Sequence, residues 1–298
     1  MDSLHPQIIT FGDVPMVEPE QARVAILSAP MEASVSYGHG TSLGPAAIIA
    51  ASAAMELYDE VLAQETWEYG FLTSPAISMH GELACVLARI SEAVSAELAR
   101  DRFPVVLGGE HTITLGVLDA LVKKYGTGFT VLSFDAHLDL REEYLGDPYS
   151  HACVMKRALD MGLDVRHLGV RSCSQEEVQL VKERGLAPMW AHQVHTDPGW
   201  LDKALQGLQG PVYISLDVDG FDPAYMPATG TPEPGGLDWY QLTNWLTAVT
   251  ARCPVLGLDL VELAPMRYQA AWDFTAAKLL YRALGLILRG EVKCTKEI

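Results

Sequence analysis

Two acidic motifs in the sequence stand directly after short apolar runs. The run FTVLSF leads into Asp-Ala-His-Leu-Asp, and the run PVYISL leads into Asp-Val-Asp. Side chains at positions i and i+2 of an extended chain point to the same face, so each motif sets its polar groups side by side. Because neither motif contains lysine or arginine, the four carboxylates would repel one another and be costly to bury unless divalent cations neutralised them. The residues of the two motifs are Asp135, His137, Asp139, Asp217 and Asp219.

A second imidazole and a further carboxylate follow two other apolar runs. His111 ends a Gly-Gly-Glu-His segment after PVVL, and Glu262 follows PVLGLDLV. Four aspartates with two histidines and no thiolate form a hard set of ligands that favours Mn²⁺ over a structural zinc, with zinc, cobalt, nickel and iron as alternatives. Six ligands suit two ions, and two ions about 3.5 Å apart can lower the pKa of a water between them toward neutrality. The pattern predicts a metal-assisted hydrolase.

Strand-like and helix-like segments alternate along the chain. The apolar runs are rich in Val, Ile and Leu without regular alternation, which is typical of strands buried on both faces. This order predicts parallel pairing, and ligands of such sheets bind beyond the carboxyl ends of the strands, where the polar motifs fall. The predicted strands cover 23–29, 104–108, 129–135, 165–170, 211–217 and 254–260, with weaker candidates at 68–72 and 187–190. The predicted helices cover 45–59, 82–100, 112–125, 152–161, 175–184, 200–208, 239–251 and 274–289.

The chain is acidic and of ordinary hydrophobicity. Its 298 residues include 21 Lys+Arg and 38 Asp+Glu, which gives a net charge of −17. This balance argues against nucleic-acid binding and against docking on anionic membranes, and it suits cationic small substrates and metal ions. We expect a single domain over residues 1–298, because no repeat or linker interrupts the sequence. Five widely spaced cysteines without a CxxC pair, and an N-terminus without signal-peptide features, indicate a reduced, cytoplasmic enzyme.

Three segments resemble the motifs of the ureohydrolase family, which includes arginase, agmatinase, guanidinobutyrase and formimidoylglutamase. They are LGGEHTIT (107–114), SFDAHLDLR (133–141) and SLDVDGFDPAYMPATGTPEPGGL (215–237). The likeness extends over nearly the whole chain and is greatest to agmatinase. It implies an α/β fold, a three-layer α/β/α sandwich around a mostly parallel, about eight-stranded sheet. It also implies assembly as a homotrimer or homohexamer.

The resemblance assigns the metal ligands. It implies two Mn²⁺ ions per subunit, with His111 and Asp139 on one ion, His137 and Asp219 on the other, and Asp135 and Asp217 bridging both. The implied reaction is hydrolysis of a guanidino group to urea and an amine by a hydroxide held between the ions.

The resemblance also implies three catalytic residues. Asp139 would orient the hydroxide and accept its proton. Glu262 matches the carboxylate that pairs with the guanidinium, and a planar bidentate contact would set the angle of attack. His151 matches the histidine that passes a proton to the departing amine, a role that imidazole suits near neutral pH.

Three residues depart from the family pattern. Ser42 stands where an arginine is usual, Ala152 follows the shuttle histidine where glycine is usual, and Ala228 replaces another common glycine. The first departure bears on a loop anchor or subunit contact, and the second on how closely a substrate approaches.

The substrate tail is the least determined feature. The stretch 144–151 corresponds to the arginase segment that recognises the amino-acid head, but it contains no asparagine, which weakens arginine as the substrate. The overall pattern resembles agmatinase most and favours agmatine, cleaved to putrescine and urea. Asp147 and Tyr149 are candidate contacts for its distal amine. N-aminopropyl-agmatine, 4-guanidinobutyrate and arginine remain alternative substrates. A catalytically silent metal-binding homologue and a metal-dependent deacetylase are alternatives from other functional classes.

Overall fold

The central feature of the fold is an eight-stranded sheet. A computed structural model describes residues 10–15 and 17–294, with the side chains of 290–294 left out. In chain order the strands are β1 (Val24–Ala29), β2 (Tyr58–Asp59), β3 (Gln64–Glu65), β4 (Phe71–Thr73), β5 (Phe103–Gly108), β6 (Thr130–Phe134), β7 (Asp164–Val170), β8 (Met189–Trp190), β9 (Val212–Asp217) and β10 (Val255–Val261). β2 and β3 form a separate antiparallel pair, and the other eight strands form the sheet.

All neighbouring strands of this sheet run parallel. Their order is β4-β1-β5-β10-β9-β6-β7-β8. Strands β5, β6 and β9 are buried along their whole length, and β10 is buried over its last five residues, as expected of apolar runs covered on both faces. Strand order therefore brings the carboxyl ends of β5, β10, β9 and β6 together in the middle of one sheet edge.

Helices cover both faces of the sheet. They are α1 (Gly44–Ser52), α2 (Leu83–Leu98), α3 (Thr114–Tyr125), α4 (Val154–Asp160), α5 (Gln175–Arg184), α6 (Ala191–Thr196), α7 (Trp200–Ala204), α8 (Trp239–Thr250) and α9 (Ala271–Cys294). One core cluster holds residues of α1, α6, α8 and α9, and the other holds residues of α2, α3, α4 and α5. The predicted three-layer α/β/α fold with an eight-stranded parallel sheet is confirmed.

The predicted helix over 45–59 is wrong in its second half. α1 ends at Ser52, whose hydroxyl donates to Ile49 O and accepts a hydrogen bond from Gly12 N. Asp59 then lies in the β2–β3 pair, where its carboxylate accepts from Leu62 N and pairs with Arg282 of α9. A distant partner thus ends a helix that local composition would continue.

Two of the sequence-based predictions include residues that the structure does not describe. Residues 1–9 of the predicted single domain and the side chain of Cys294 lie outside the described residues. Cys85, Cys153, Cys173 and Cys253 are free thiols. Over the part of the chain that the structure describes, no helix combines the length and hydrophobicity that a membrane span requires.

Candidate metal centre

The polar motifs meet at the carboxyl edge of the sheet. His111 opens a 3₁₀ turn directly after β5, Asp135 follows β6, and Asp217 is the last residue of β9. Glu262 follows β10, which lies between β5 and β9. The structure thus brings together the side chains that the sequence places after four separate strands.

His111 lies among three carboxylates. Its Nδ1 atom is 3.0 Å from Asp139 Oδ2, 3.3 Å from Asp135 Oδ2 and 3.4 Å from Asp217 Oδ2. All four side chains are nearly or fully buried. Ligand atoms of His111, Asp135 and Asp217 lie within 4.8 Å of one another, close enough to bind one cation together.

His137 forms a second cluster that shares Asp135 with the first. Its Nδ1 atom is 3.0 Å from Asp219 Oδ2 and 3.4 Å from Asp135 Oδ1. The ligand atoms of these three residues also lie within 4.8 Å of one another. Asp135 therefore offers one oxygen to each cluster, as a bridging carboxylate between two ions would.

Two buried atoms at the centre make no hydrogen bond. They are His111 Nδ1 and Asp135 Oδ2, and they face each other. Buried polar atoms are rarely left unpaired, so both positions favour a cation as the missing partner. The mixed imidazole and carboxylate set fits a divalent transition metal such as Mn²⁺.

A chain of hydrogen bonds behind His111 fixes which of its nitrogens faces the carboxylates. Asp259 accepts hydrogen bonds from the hydroxyls of Ser215 at 2.6 Å, Thr114 at 2.6 Å and Tyr213 at 2.5 Å. Since Ser215 gives its only proton to Asp259, its oxygen accepts from His111 Nε2, 2.9 Å away. Although burial lowers the pKa of His111, interactions with the carboxylates of Asp135 and Asp139 raise it well above its ordinary value. Once the ring gives up its Nδ1 proton, the Nδ1 lone pair points at the carboxylates, the orientation a metal ligand needs.

Without a bound metal, several side chains of the site have raised pKa values and therefore hold protons more tightly. Burial and the charge of Asp135 raise the pKa of Asp139 to about 7, and burial raises the pKa of Glu262 to about 8. Burial also raises the pKa of Asp217 well above its ordinary value. Although burial lowers the pKa of His137, the charge of Asp219 and hydrogen bonds to Asp135 and Asp219 raise it to about 12. Metal binding must therefore release protons.

Two of the site carboxylates stand on left-handed backbone. Asp139 has φ of 50° and Glu262 has φ of 65°. Such angles disfavour residues with a Cβ atom, and they tend to occur where a side chain must be aimed at a site. Glu262 also receives a 2.6 Å hydrogen bond on Oε1 from His111 N, which ties the ends of β10 and β5 together.

His151 and the two clusters line one cavity. His151 opens a 3₁₀ turn before α4, and its ring nitrogens contact Ser34 and Ser36, which belong to the loop after β1. The ring of Tyr144 packs edge-on against its imidazole at 5.7 Å. The three predicted catalytic residues, Asp139, His151 and Glu262, all line this cavity.

The cavity measures about 240 Å³ and is dominated by negative charge. One arginine, Arg141, lines it, and this guanidinium lies 3.9 Å from Glu177 and 5.3 Å from the ring centre of Tyr144. The lining carboxylates are Glu110, Asp139, Glu177, Asp217, Asp219 and Glu262. This excess of acidic groups favours a cationic ligand.

Asp147 and Tyr149 lie elsewhere. The Asp147 carboxylate accepts a hydrogen bond from Tyr149 N at 2.8 Å, and both residues line a neighbouring cavity with Met79 and Glu32. Neither Asp147 nor Tyr149 is among the described residues that line the metal-site cavity. The structure does not support the expectation that they contact a substrate amine.

The loop at Ser42 is anchored without the usual arginine. Glu32 Oε2 accepts hydrogen bonds from Ser42 N and Ser42 Oγ, and Glu32 Oε1 accepts one from Gly40 N. Ala228 is buried, and Ala152 lines the cavity beside His151.

Sequence reasoning missed several residues that support the site. Arg171 donates to the backbone oxygens of Asp219, Gly220 and Phe221, at distances between 2.6 Å and 3.2 Å, and so holds the turn that carries Asp219. Ser215 is the link from His111 to Asp259. Its position two residues before Asp217, on the same face of β9, is the signal that could have identified it.

A parallel sheet covered by helices on both faces, with two His/Asp clusters at its carboxyl edge, defines a metal-dependent hydrolase of the three-layer α/β class.

Comparison with known proteins places this hydrolase in a family. The model of the Arginase family matches residues 22–285 of this chain. The N(1)-aminopropylagmatine ureohydrolase of Synechocystis sp. is 35% identical over 293 residues, 94% of this chain and 96% of its own. The agmatinase of Pyrococcus horikoshii is 33% identical over 282 residues, 93% and 96% of the two chains. The crystal structure of agmatine ureohydrolase of Thermoplasma volcanium superposes with a TM-score of 0.83 at 30% identity, covering 94% and 93%.

The chain belongs to the arginase family, and it is a metal-dependent amidinohydrolase that cleaves a guanidino group to urea and an amine. The family and the reaction class predicted from the three motifs are confirmed.

Proposed function

We propose that this enzyme hydrolyses agmatine to putrescine and urea. The observation that carries the proposal is the acidic cavity, in which Glu262 lies beside the metal clusters and its carboxylate is held by His111 N. A planar guanidinium is matched by a carboxylate through two parallel hydrogen bonds. Tyr37 on the lining is 80% exposed, so the cavity opens to solvent and leaves room for an extended cationic tail.

The metal proposal is two Mn²⁺ ions in each subunit. His111 and Asp139 would hold one ion and His137 and Asp219 the other, with Asp135 and Asp217 between them; the two clusters and the unpaired atoms at their centre support this arrangement. When bound, the ions supply Lewis acidity and lower the pKa of a water for attack on the guanidinium carbon.

The proposed catalytic roles are those that the ureohydrolase motifs imply, and the positions of the side chains support them. Glu262 binds the guanidinium and orients its carbon toward the metal ligands. Asp139, 3.0 Å from His111 Nδ1, accepts the proton of the attacking water. His151, which lines the same cavity, passes a proton to the departing amine, which then leaves as a cation through the open side of the cavity.

N-aminopropyl-agmatine is the second candidate substrate. The name of the Synechocystis relative favours it, and an aminopropyl group only lengthens the cationic tail. The remaining alternatives, 4-guanidinobutyrate and arginine, carry a carboxylate that would need a cationic partner, and Arg141, the one arginine of the described lining, already lies 3.9 Å from Glu177. A catalytically silent homologue is disfavoured because five of the six predicted ligands form the two clusters and the sixth, Asp139, lies 3.0 Å from His111 Nδ1.

Urea release tests the proposed function. The purified protein is loaded with Mn²⁺ and assayed in parallel with agmatine, N-aminopropyl-agmatine, 4-guanidinobutyrate and arginine. We expect the highest kcat/KM with agmatine. A preference for another of the four compounds would change the substrate tail that we assign and leave the hydrolysis of a guanidino group unchanged. No urea from any of them with two ions bound would refute the proposal.

Assembly and location complete the proposal. We infer a single domain over 1–298, a homotrimer or homohexamer, and a cytoplasmic enzyme, from the ureohydrolase motifs and from the composition of the chain. Light scattering on a sizing column tests the assembly, and a monomer would refute that part.

A further inference from the structure

Ser34 connects His151 to a buried carboxylate. Its Oγ atom lies 3.0 Å from His151 Nδ1, 3.1 Å from His151 N and 3.0 Å from Glu110 Oε1. Glu110 is only 1% exposed, and its other oxygen accepts hydrogen bonds from Ser34 N at 2.7 Å and from Ala33 N. The carboxylate is therefore fixed against the loop after β1, and the serine is fixed against the carboxylate.

The direction of each hydrogen bond follows from counting protons. A hydroxyl has one proton to donate and two lone pairs that accept. Both carboxylate oxygens of Glu110 act as acceptors, Oε2 from two backbone N–H groups and Oε1 from the Ser34 hydroxyl, so Ser34 gives its proton to Oε1. The two lone pairs of Ser34 then accept from His151 N–H and from the ring at Nδ1, which must carry a proton. Ser150 Oγ, 3.3 Å from the same nitrogen, is a weaker second neighbour.

We propose that Ser34, oriented by Glu110, is a positioning residue that holds neutral His151 in the tautomer with its proton on Nδ1 and a free lone pair on Nε2. The Nε2 atom then accepts from Ser36 Oγ, 2.9 Å away on the cavity lining. Glu110 and Ser34 thus act on the reaction only through His151.

The tautomer determines which nitrogen exchanges protons with a substrate. With Nδ1–H committed to Ser34, Nε2 is the nitrogen that takes up a proton and delivers it to the departing amine, a role that rests on the proposed function. The charged groups whose fields act most on the ring are Glu110, His111 and His137, and Tyr144 packs against it. The ring orientation stays the same whichever of the two neutral tautomers is present, so the proton position needs its own test.

Glu110→Gln distinguishes this arrangement from simple packing. The amide oxygen of glutamine has to take the place that accepts from Ala33 N and Ser34 N, so the amide N–H group faces Ser34 Oγ. Ser34 then accepts from residue 110 and donates to His151 Nδ1. We therefore expect the tautomer to invert, with the ring proton moving to Nε2, while the shape of the site is kept.

Nitrogen-15 NMR of histidine-labelled full-length protein reads the tautomer directly. The protein is loaded with diamagnetic Mg²⁺ and measured where imidazole is neutral, and His151→Gln identifies the His151 signals. We expect Nδ1–H in the wild type and Nε2–H in Glu110→Gln. An Nε2–H wild type, or the same tautomer in both proteins, would overturn the proposal even if no variant were active.

Kinetics with Mn²⁺ and agmatine give the second readout. Ser34→Ala should lower kcat about tenfold with KM changed less than about twofold, because one orienting hydrogen bond is lost. Ser34→Thr keeps the hydroxyl and should restore kcat. Ser133→Ala removes a hydroxyl that makes no hydrogen bond, and it controls for the loss of a serine hydroxyl that orients no other group. An unchanged kcat in Ser34→Ala would overturn the positioning role.

The two proposals fail in different ways. The predicted tautomers without urea release from any guanidino compound would support the positioning of His151 and refute the proposed function. Urea release with the opposite tautomers would support the proposed function and refute the positioning of His151 by Ser34.

Discussion

Asp259→Asn is expected to weaken metal binding without changing a metal ligand. Asp259 accepts three hydroxyl hydrogen bonds, two on Oδ2 and one, from Ser215, on Oδ1. Asparagine has one accepting oxygen, which must stay with Tyr213 and Thr114, so its N–H group faces Ser215. Ser215 can then donate to His111 Nε2, which moves the ring proton to Nδ1, the atom that faces the carboxylates.

The size of the effect follows from that proton. Metal binding at Nδ1 needs the ring proton on Nε2, so in the variant it would first have to break the new hydrogen bond that Ser215 donates to Nε2. Loss of an outer hydrogen-bond partner of this kind lowers metal affinity by about 10- to 100-fold, or about 1.4 to 2.8 kcal/mol. Mn²⁺ titration calorimetry in competition with a chelator measures it, and one of two binding steps should weaken.

Tyr213→Phe is the matched control. It removes another of the three hydroxyls on Asp259 but leaves the Ser215 branch intact. We expect it to lower the free energy of unfolding by about 1 kcal/mol and to leave metal affinity within about twofold of the wild type. Equal Mn²⁺ affinities for Asp259→Asn and the wild type, or equal losses in the two variants, would refute the account of His111.

His151→Gln should lower kcat by about 100-fold with both ions retained, because it removes a proton carrier and no ligand; metal analysis beside the kinetics checks this, and loss of an ion would contradict it. Without metal, the pKa is raised to about 7 for Asp139, to about 8 for Glu262 and to about 12 for His137. The folded protein therefore holds more protons than the unfolded chain. Stability of the chelated protein should therefore fall as pH rises between about 5 and 8, and the gain from Mn²⁺ should grow, both measurable by urea unfolding; a rise with pH would contradict the signs. Asp147→Asn should leave KM for agmatine unchanged, because this carboxylate bonds Tyr149 N outside the metal-site cavity; a KM more than about threefold higher would contradict that placement.

The strands were more predictable than the ends of the helices. A run such as FTVLSF is apolar on both faces because helices cover both sides of the sheet, and that requirement is visible in the sequence. The end of α1 depends on Gly12 and on the pairing of Asp59 with Arg282, 223 residues apart. No local pattern carries that information.

The candidate site likewise contains features that the sequence predicts and features that it does not. The metal-ligating side chains were predictable because they sit at fixed spacing after strands whose ends must meet. The contact of His151 with Ser34 spans 117 residues and depends on how a loop folds over the sheet edge. The candidate role of Asp147 was suggested by its nearness in sequence to His151, but the turn that contains it points its carboxylate at its own backbone.

The left-handed backbone at Asp139 and Glu262 has a consequence for laboratory evolution of this protein. Each conformation costs a residue with a Cβ atom about 1 kcal/mol, and glycine would avoid that cost. Glycine would also remove a buried carboxylate that repels its neighbours. A library selected for heat resistance alone should therefore accumulate glycine at position 139, where it yields protein that is better folded and has no turnover, whereas the hydrogen bond from His111 N favours retention of Glu262. Any such selection has to require urea release in every round.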